Sequence, residues 1–216
     1  MAAEDETRLR TRIVEVMQAM EAKGLNRGTS GNVSARLGEG MLVTPSGVPP
    51  ERLTPEAMVF IGGDDSIAEG QMRPSSEWRM HMQILRRRPD VNGVVHCHSR
   101  HATILACAGR PLPAIHYMVG VSGGASVPVA PYATFGSTEL ADVVVDALEG
   151  RYAALMANHG QITVAPSLNS ALLIAEEIEE QAAVYWGALA IGGPNLLSDA
   201  QMDEILVRFK SYGQSK

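Results

Sequence analysis

The stretch VVHCHSRH, Val94 to His101, places three imidazoles within six residues directly behind an apolar pair, in a chain with six histidines in all. The β-branched run that enters it, Val91 to Val95, reads as a strand, and Arg100 to Ala108, which leaves it, reads as a helix. If Val94 to His98 is extended, His96 and His98 project from one face at i and i+2, and Cys97 from the other. Such a pair can chelate. Catalytic zinc usually takes three protein ligands and keeps a fourth position open, and histidines with a carboxylate are an ordinary set. Two further candidates are His159, in ANHG at a turn after a strand, and Glu77, which opens the helix following a Pro-Ser-Ser run. Alone, His159 reads as a turn or capping histidine, and Glu77 as a first-turn glutamate favoured by the helix dipole. His101 neighbours His98 only if the helix begins by His98, and ranks below His159.

Outward from this stretch, helices alternate with short β-branched runs. Glu4 to Lys23 carries Ile13, Met17 and Met20 at helical spacing and stops at Gly24 and Asn26. NVSARL alternates, MLVT and MVFI are short strand candidates, and Thr44-Pro45-Ser46-Gly47 is turn chemistry. Ser76 to Arg88 and Thr138 to Leu148 read as helices, and Ala153 to Met156 and Gln161 to Ala165 as strands joined by a tight turn, with antiparallel directions expected. A long helix runs from Ser167 to Gly192-Gly193-Pro194, and a last one starts at a capping box, Ser198 with Gln201. The order implies a layered α/β or α+β fold, read as a single domain over residues 1–216.

Composition excludes several classes. With 45% hydrophobic residues and a formal charge of −6, the surface is not built to neutralise a phosphodiester backbone, so nucleic acid is not the expected partner. Arg86-Arg87-Arg88 reads as the solvated, dipole-favoured end of a helix. Two cysteines, Cys97 and Cys107, make no disulfide framework. The acidic start MAAEDETRLR lacks the blocks of a signal peptide, and no apolar run approaches the roughly 20 residues that span a bilayer. The cytoplasm, with no membrane partner, is the expected location.

Three loops ask for an anion: Gly28-Thr29-Ser30-Gly31-Asn32, Ser46-Gly47 and Ser75-Ser76, the last at a helix N-terminus. Each alone is ordinary turn composition. Neither a dinucleotide nor a P-loop fingerprint is present, so a small phosphorylated metabolite fits better than a nucleotide. Gly120-Val121-Ser122-Gly123-Gly124 matches the esterase pattern G-x-S-x-G, but the following ASVPVAPYATFG is extended and Pro-interrupted where that motif needs a helix.

The ordered motifs GLNRGTSGNVSAR, TPSG, RPSSEWRMH, VVHCHS, PAIHYM, APYATFGS, NHG and FKSYG, from about Leu9 to Gly213, resemble the class II aldolase and adducin-head family, and within it most closely its L-fuculose-1-phosphate aldolase branch. The resemblance implies a central, mainly antiparallel sheet flanked by helices, in a homotetramer with active sites at subunit boundaries. It implies zinc, or another divalent transition metal, on His96, His98 and His159. The catalytic carboxylate falls on Glu77, which is also counted with the metal ligands and must leave or never bind the metal during proton transfer. Phosphate binding falls on Thr29, Gly31, Asn32, Ser46, Gly47, Ser75 and Ser76. Tyr117 matches a tyrosine that reaches a neighbouring subunit's site, Tyr212 a C-terminal tyrosine that closes over substrate, and His101 is left as a supporting residue. The implied activity is cleavage of a ketose 1-phosphate to dihydroxyacetone phosphate and a small aldehyde. The substrate is of the L-fuculose 1-phosphate type or a 5-deoxy or 5-methylthio pentulose 1-phosphate of a salvage route. HSRHAT is also similar to the related pentulose-5-phosphate 4-epimerases, but those carry an aspartate after LPA where this chain has IHYM. Adducin-like members use the fold as a binding module and lack the full metal set.

Overall fold

Alternating burial along the strands divides the molecule into two cores on either side of one sheet. The computed structural model describes residues 3–209. In β1 (Asn32–Leu37), Val33 and Ala35 enter one core, while Ser34 is buried on the other side against the second helix. In β2 (Gly40–Val43), Leu42 joins the first core, and Met41 and Val43 the second. β4 (Gly93–Cys97) sends Val95 and Cys97 to the first and Val94 to the second. With β3 (Val59–Ile61), β5 (Val129–Ala130), β6 (Ala153–Met156) and β7 (Gly160–Ala165), the order is β3-β2-β1-β4-β7-β6-β5. Every pairing is antiparallel except β5 with β6, as expected of a mainly antiparallel sheet.

Helices cover both faces. α1 (Ala3–Ala22), α3 (Arg100–Cys107), α5 (Leu168–Ala190) and α6 (Asp199–Phe209) contribute to the first core, and α2 (Trp78–Arg87) and α4 (Thr138–Ala147) to the second. Local chemistry sets their ends. Ser137 accepts from the backbone N–H of Leu140, Ser167 from that of Ser170, and the Ser198–Gln201 capping box forms with reciprocal bonds of 2.8 and 3.3 Å. No helix among the described residues is long and apolar enough to cross a membrane.

Two sequence boundaries move. The strand expected at Val91 to Val95 runs from Gly93 to Cys97, because the Val91 carbonyl is taken by the Arg36 guanidinium, which also closes the end of α2 through the Leu85 and Arg88 carbonyls. Only His96 of the His-x-His pair therefore lies in the ladder, opposite Asn32 on β1 and Ile162 on β7. The helix expected from Ser76 starts at Trp78, with Glu77 as its N-cap.

Candidate active site

Antiparallel pairing of β1 with β4 puts the start of one beside the end of the other, so Asn32 and His96 face each other in register. The three-residue turn between β6 and β7 carries His159 to the same end, and His98 follows β4 directly. Gly160 permits this approach: a Cβ there would sit 2.5 Å from the Cys97 carbonyl oxygen and 3.0 Å from His98 Cδ2. The rings of His96, His98 and His159 lie 4.8 to 4.9 Å apart, with one ligand atom from each within 4.8 Å of the others. Among the described residues this is the one group of three or more metal-ligating side chains so arranged.

Glu77 completes the cluster. Its side chain does not cap α2, as a dipole-favoured glutamate would; Oε2 lies 3.2 Å from His96 Nε2 and accepts from Asn32 Nδ2 at 2.9 Å, and Oε1 lies 3.3 Å from His159 Nε2. Oε1 has no hydrogen-bond partner among the described residues. Burial opposes the charge on Glu77, but His96, His159 and Asn32 together hold the carboxyl well below the usual carboxylate range. For His96 burial acts against protonation, yet Glu77 outweighs it and raises the imidazole pKa. His98 is lowered to about 4 by burial and by the fields of His96 and His159, and His159 to about 4 by burial and the field of His96, against Glu77 in both cases.

These residues fit a divalent transition metal. His96 Nδ1 meets the Gln161 carbonyl at 2.8 Å; a carbonyl only accepts, so Nδ1 carries hydrogen and Nε2 is the atom free for a metal. His98 and His159 are neutral donors at pH 7, three imidazoles are a familiar zinc set, and an orphaned buried carboxylate oxygen adjoins them. Cys97 is excluded from the set, since it faces the opposite core and burial raises its thiol to about 12.

The cluster opens into a cavity of about 330 Å³ that gathers the three anion-loop candidates: Thr29, Ser30, Gly31 and Asn32; Ser46 and Gly47; Ser75 and Ser76. An isolated bridge between Pro45 and Pro74 staples the second and third loops, with Ser46 N–H donating to the Arg73 carbonyl and Ser75 N–H to the Thr44 carbonyl. The first loop is fastened to β4 by buried Asn26, whose amide donates to the Ser30 carbonyl and accepts from His98 N–H at 3.3 Å. Gly31 has φ +75°, and a Cβ would meet the Asn26 amide and, at 2.7 Å, the His96 carbonyl oxygen.

Other predicted residues lie elsewhere. Tyr117 is 47% exposed in a 3-10 turn, outside this cavity and lining a separate hollow with Met118, Leu173, Leu206 and Phe209. Tyr212 lies outside the described residues. His101 bonds Glu179 of α5, whose carboxylate also takes the His101 and Ala102 backbone N–H groups at the start of α3, a supporting role. Ser122 of the esterase-like pattern is buried in the 3-10 turn, bonded to backbone carbonyls. Sequence reasoning assigned no place in the site to Asn26, read only as a helix stop, or to His81, Tyr132, Phe135 or Asn158. His81 had a signal, lying one helical turn after Glu77; Tyr132 and Phe135 belonged to a segment read only as extended.

Comparison with known proteins agrees with this site. The family model for the class II aldolase and adducin N-terminal domain matches residues 11–186. A 5-methylthioribulose-1-phosphate/5-deoxyribulose-1-phosphate aldolase of Rhodospirillum rubrum is 46% identical over 209 residues, 96% of this chain and 93% of that protein. The L-fuculose phosphate aldolase of Escherichia coli (strain K12) is 46% identical over 210 residues, 97% of each chain. A solved structure of an L-fuculose 1-phosphate aldolase superposes with a TM-score of 0.92 at 37% identity, covering 97% of this chain and 98% of that one. With aldolases aligned to it almost end to end and the family model spanning the three clustered histidines and the cavity loops, the chain belongs to the class II aldolase and adducin N-terminal domain family, as a class II aldolase.

Proposed function

We propose that this chain, as one domain over residues 1–216, reversibly cleaves a ketose 1-phosphate of the L-fuculose 1-phosphate type between C3 and C4, giving dihydroxyacetone phosphate and a small aldehyde such as L-lactaldehyde. The observation that carries this reading is the opening of Glu77, His98 and His159 onto the same cavity as the three hydroxyl-bearing loops. Hydroxyls and backbone N–H groups of Thr29, Gly31, Asn32, Ser46, Gly47, Ser75 and Ser76, beside the N-terminus of α2, bind the phosphate and fix the orientation of the carbon chain. His96, His98 and His159 hold the metal, zinc by its donor set, and when bound it supplies a Lewis acid for the negative charge that develops on the substrate oxygens.

In cleavage the C4 hydroxyl loses its proton, the C3–C4 bond breaks, and its electrons pass into an enediolate of the triose phosphate. Glu77 returns a proton to C3; in condensation the same carboxylate removes it, which requires an ionised carboxylate with one oxygen that accepts no hydrogen bond from the described residues. A neighbouring subunit's Tyr117 exchanges the proton of the C4 oxygen, and Tyr212 closes over the substrate. Exposure of Tyr117 away from its own chain's cavity supports this assignment and the homotetramer it requires. The expected location is the cytoplasm.

A second substrate, a 5-deoxy or 5-methylthio pentulose 1-phosphate, is favoured by the 46% identity to the R. rubrum relative. Both releases share dihydroxyacetone phosphate, so a panel of ketose phosphates assayed by coupled reduction of that triose is the test. Release from L-fuculose 1-phosphate above the pentulose 1-phosphates supports the first reading, and the reverse order the second. Interconversion of pentulose 5-phosphates without triose would replace both with an epimerase.

A further inference from the structure

Behind Glu77 runs a line of buried side chains, two of which, His81 and Ser34, the proposed chemistry does not use. Asn32, Ser34, His81 and Glu77 are 5%, 0%, 0% and 6% exposed, and they come from β1 and from the first turn of α2 with its cap. Ser34 Oγ lies 2.7 Å from His81 Nδ1, His81 Nε2 bonds Asn32 Oδ1, and Asn32 Nδ2 donates to Glu77 Oε2.

The direction of every bond follows from the carboxylate. A carboxylate only accepts, so Asn32 turns its NH2 to Glu77 and its carbonyl to His81. That carbonyl needs a donor, so His81 carries hydrogen on Nε2. Burial and the field of His96 lower the His81 pKa to about 3, against Glu77, so the ring is neutral and Nδ1 accepts the Ser34 hydroxyl proton. All donors thus point toward one oxygen of Glu77, and the other, 3.3 Å from His159 Nε2, accepts no hydrogen bond among the described residues.

We propose that His81 is a positioning residue: acting through Asn32, it locks Oε2 of Glu77 and thereby presents Oε1 as the oxygen that exchanges the substrate proton. This rests on the reading of Glu77 as the base. Without the Nε2–H donor, Asn32 has no reason to keep its amide toward the carboxylate, and an inverted amide would repel it. The proton-transfer step then suffers, while the metal ligands and the phosphate loops remain in place.

The test follows deuterium uptake from heavy water into dihydroxyacetone phosphate, with no aldehyde present, on metal-reconstituted protein. His81→Leu is expected to keep its metal and its KM for the triose phosphate within about twofold, and to lower the exchange rate about 10- to 100-fold, as loss of a supporting hydrogen bond does. His81→Gln, which restores an amide N–H, is expected to recover several-fold of that loss. Glu77→Gln runs beside them. If Glu77→Gln exchanges at the wild-type rate, the base assignment falls and the positioning role with it. If Glu77→Gln is inactive and His81→Leu exchanges normally, the positioning role alone falls. Should His81→Leu misfold or lose metal, the imidazole nitrogen NMR spectrum of the wild-type protein decides: a neutral, Nε2-protonated His81 supports the proposal, and an Nδ1-protonated or doubly protonated ring overturns it.

Discussion

The floor and the rim of the cavity are held in opposite ways. On the floor, His96 is fully buried on a central strand, Asn32 and Glu77 are nearly so, and each is fixed by a hydrogen bond to another buried group. On the rim, Tyr132 and Phe135 are 63% and 67% exposed on the segment that leaves β5. A rigid floor suits a step every substrate shares, since reacting groups gain most from pre-organisation. An exposed rim can change without disturbing it, which suits the half of the substrate that differs. Relatives named for different sugars yet each 46% identical to this chain agree with that division.

The comparison can be broken first at the metal. His96→Ala removes a donor at the cluster centre and is expected to abolish bound metal and reduce triose release to background; elemental analysis with the coupled assay checks it, and full metal content would contradict it. Glu77→Gln is expected to retain metal but lose deuterium exchange by about 10²-fold or more, the usual scale for general-base removal. Metal affinity should also follow pH with a definite sign. Burial opposes protonation of His96 but Glu77 outweighs it and raises its pKa, so below that pKa metal binding must displace a proton there. Affinity therefore falls about tenfold per unit as pH drops below that raised pKa. His98 and His159, held near 4, add no loss until pH approaches 4, where the slope steepens. Competition titrations with a metal chelator from pH 8 to 4 measure this, and a flat profile would reverse the assignment of the His96 proton.

Smaller effects test the boundary between floor and rim. Gly31→Ala forces a side chain into φ +75° and against Asn26, and should cost about 1–3 kcal/mol in thermal unfolding and raise KM for the phosphorylated substrate. Phe135→Ala is expected to shift preference among aldehydes by about tenfold or less while stability changes within about 0.5 kcal/mol. A large loss of stability from that change would make the rim part of the rigid floor.

What the sequence revealed divides along the same line. The layers were legible because Val33, Ala35, Val95 and Cys97 alternate with residues of the opposite core, and because Ser137, Ser167 and Ser198 carry helix-start chemistry. The His96–His98 spacing and the hydroxyl loops were visible as local patterns, and the structure gathers both at one cavity. The support was not visible, because it is non-local: Asn32 meets Glu77 across 45 residues and His81 across 49. For Glu77 the sequence offers a candidate carboxylate and a dipole-favoured first-turn residue side by side, and only the fold turns its carboxylate from the helix end to the histidines. Tyr117 stands exposed away from its own chain's cavity, so its proposed role rests on the family resemblance and on no local sequence pattern.

The most direct measurement strips the protein of metal, reloads it with zinc at one equivalent per chain, and follows dihydroxyacetone phosphate released from L-fuculose 1-phosphate and 5-deoxyribulose 1-phosphate. The account predicts triose release from at least one of them that disappears on stripping and returns in proportion to metal bound. Full turnover by the stripped protein, or conversion of either sugar without triose, would contradict it.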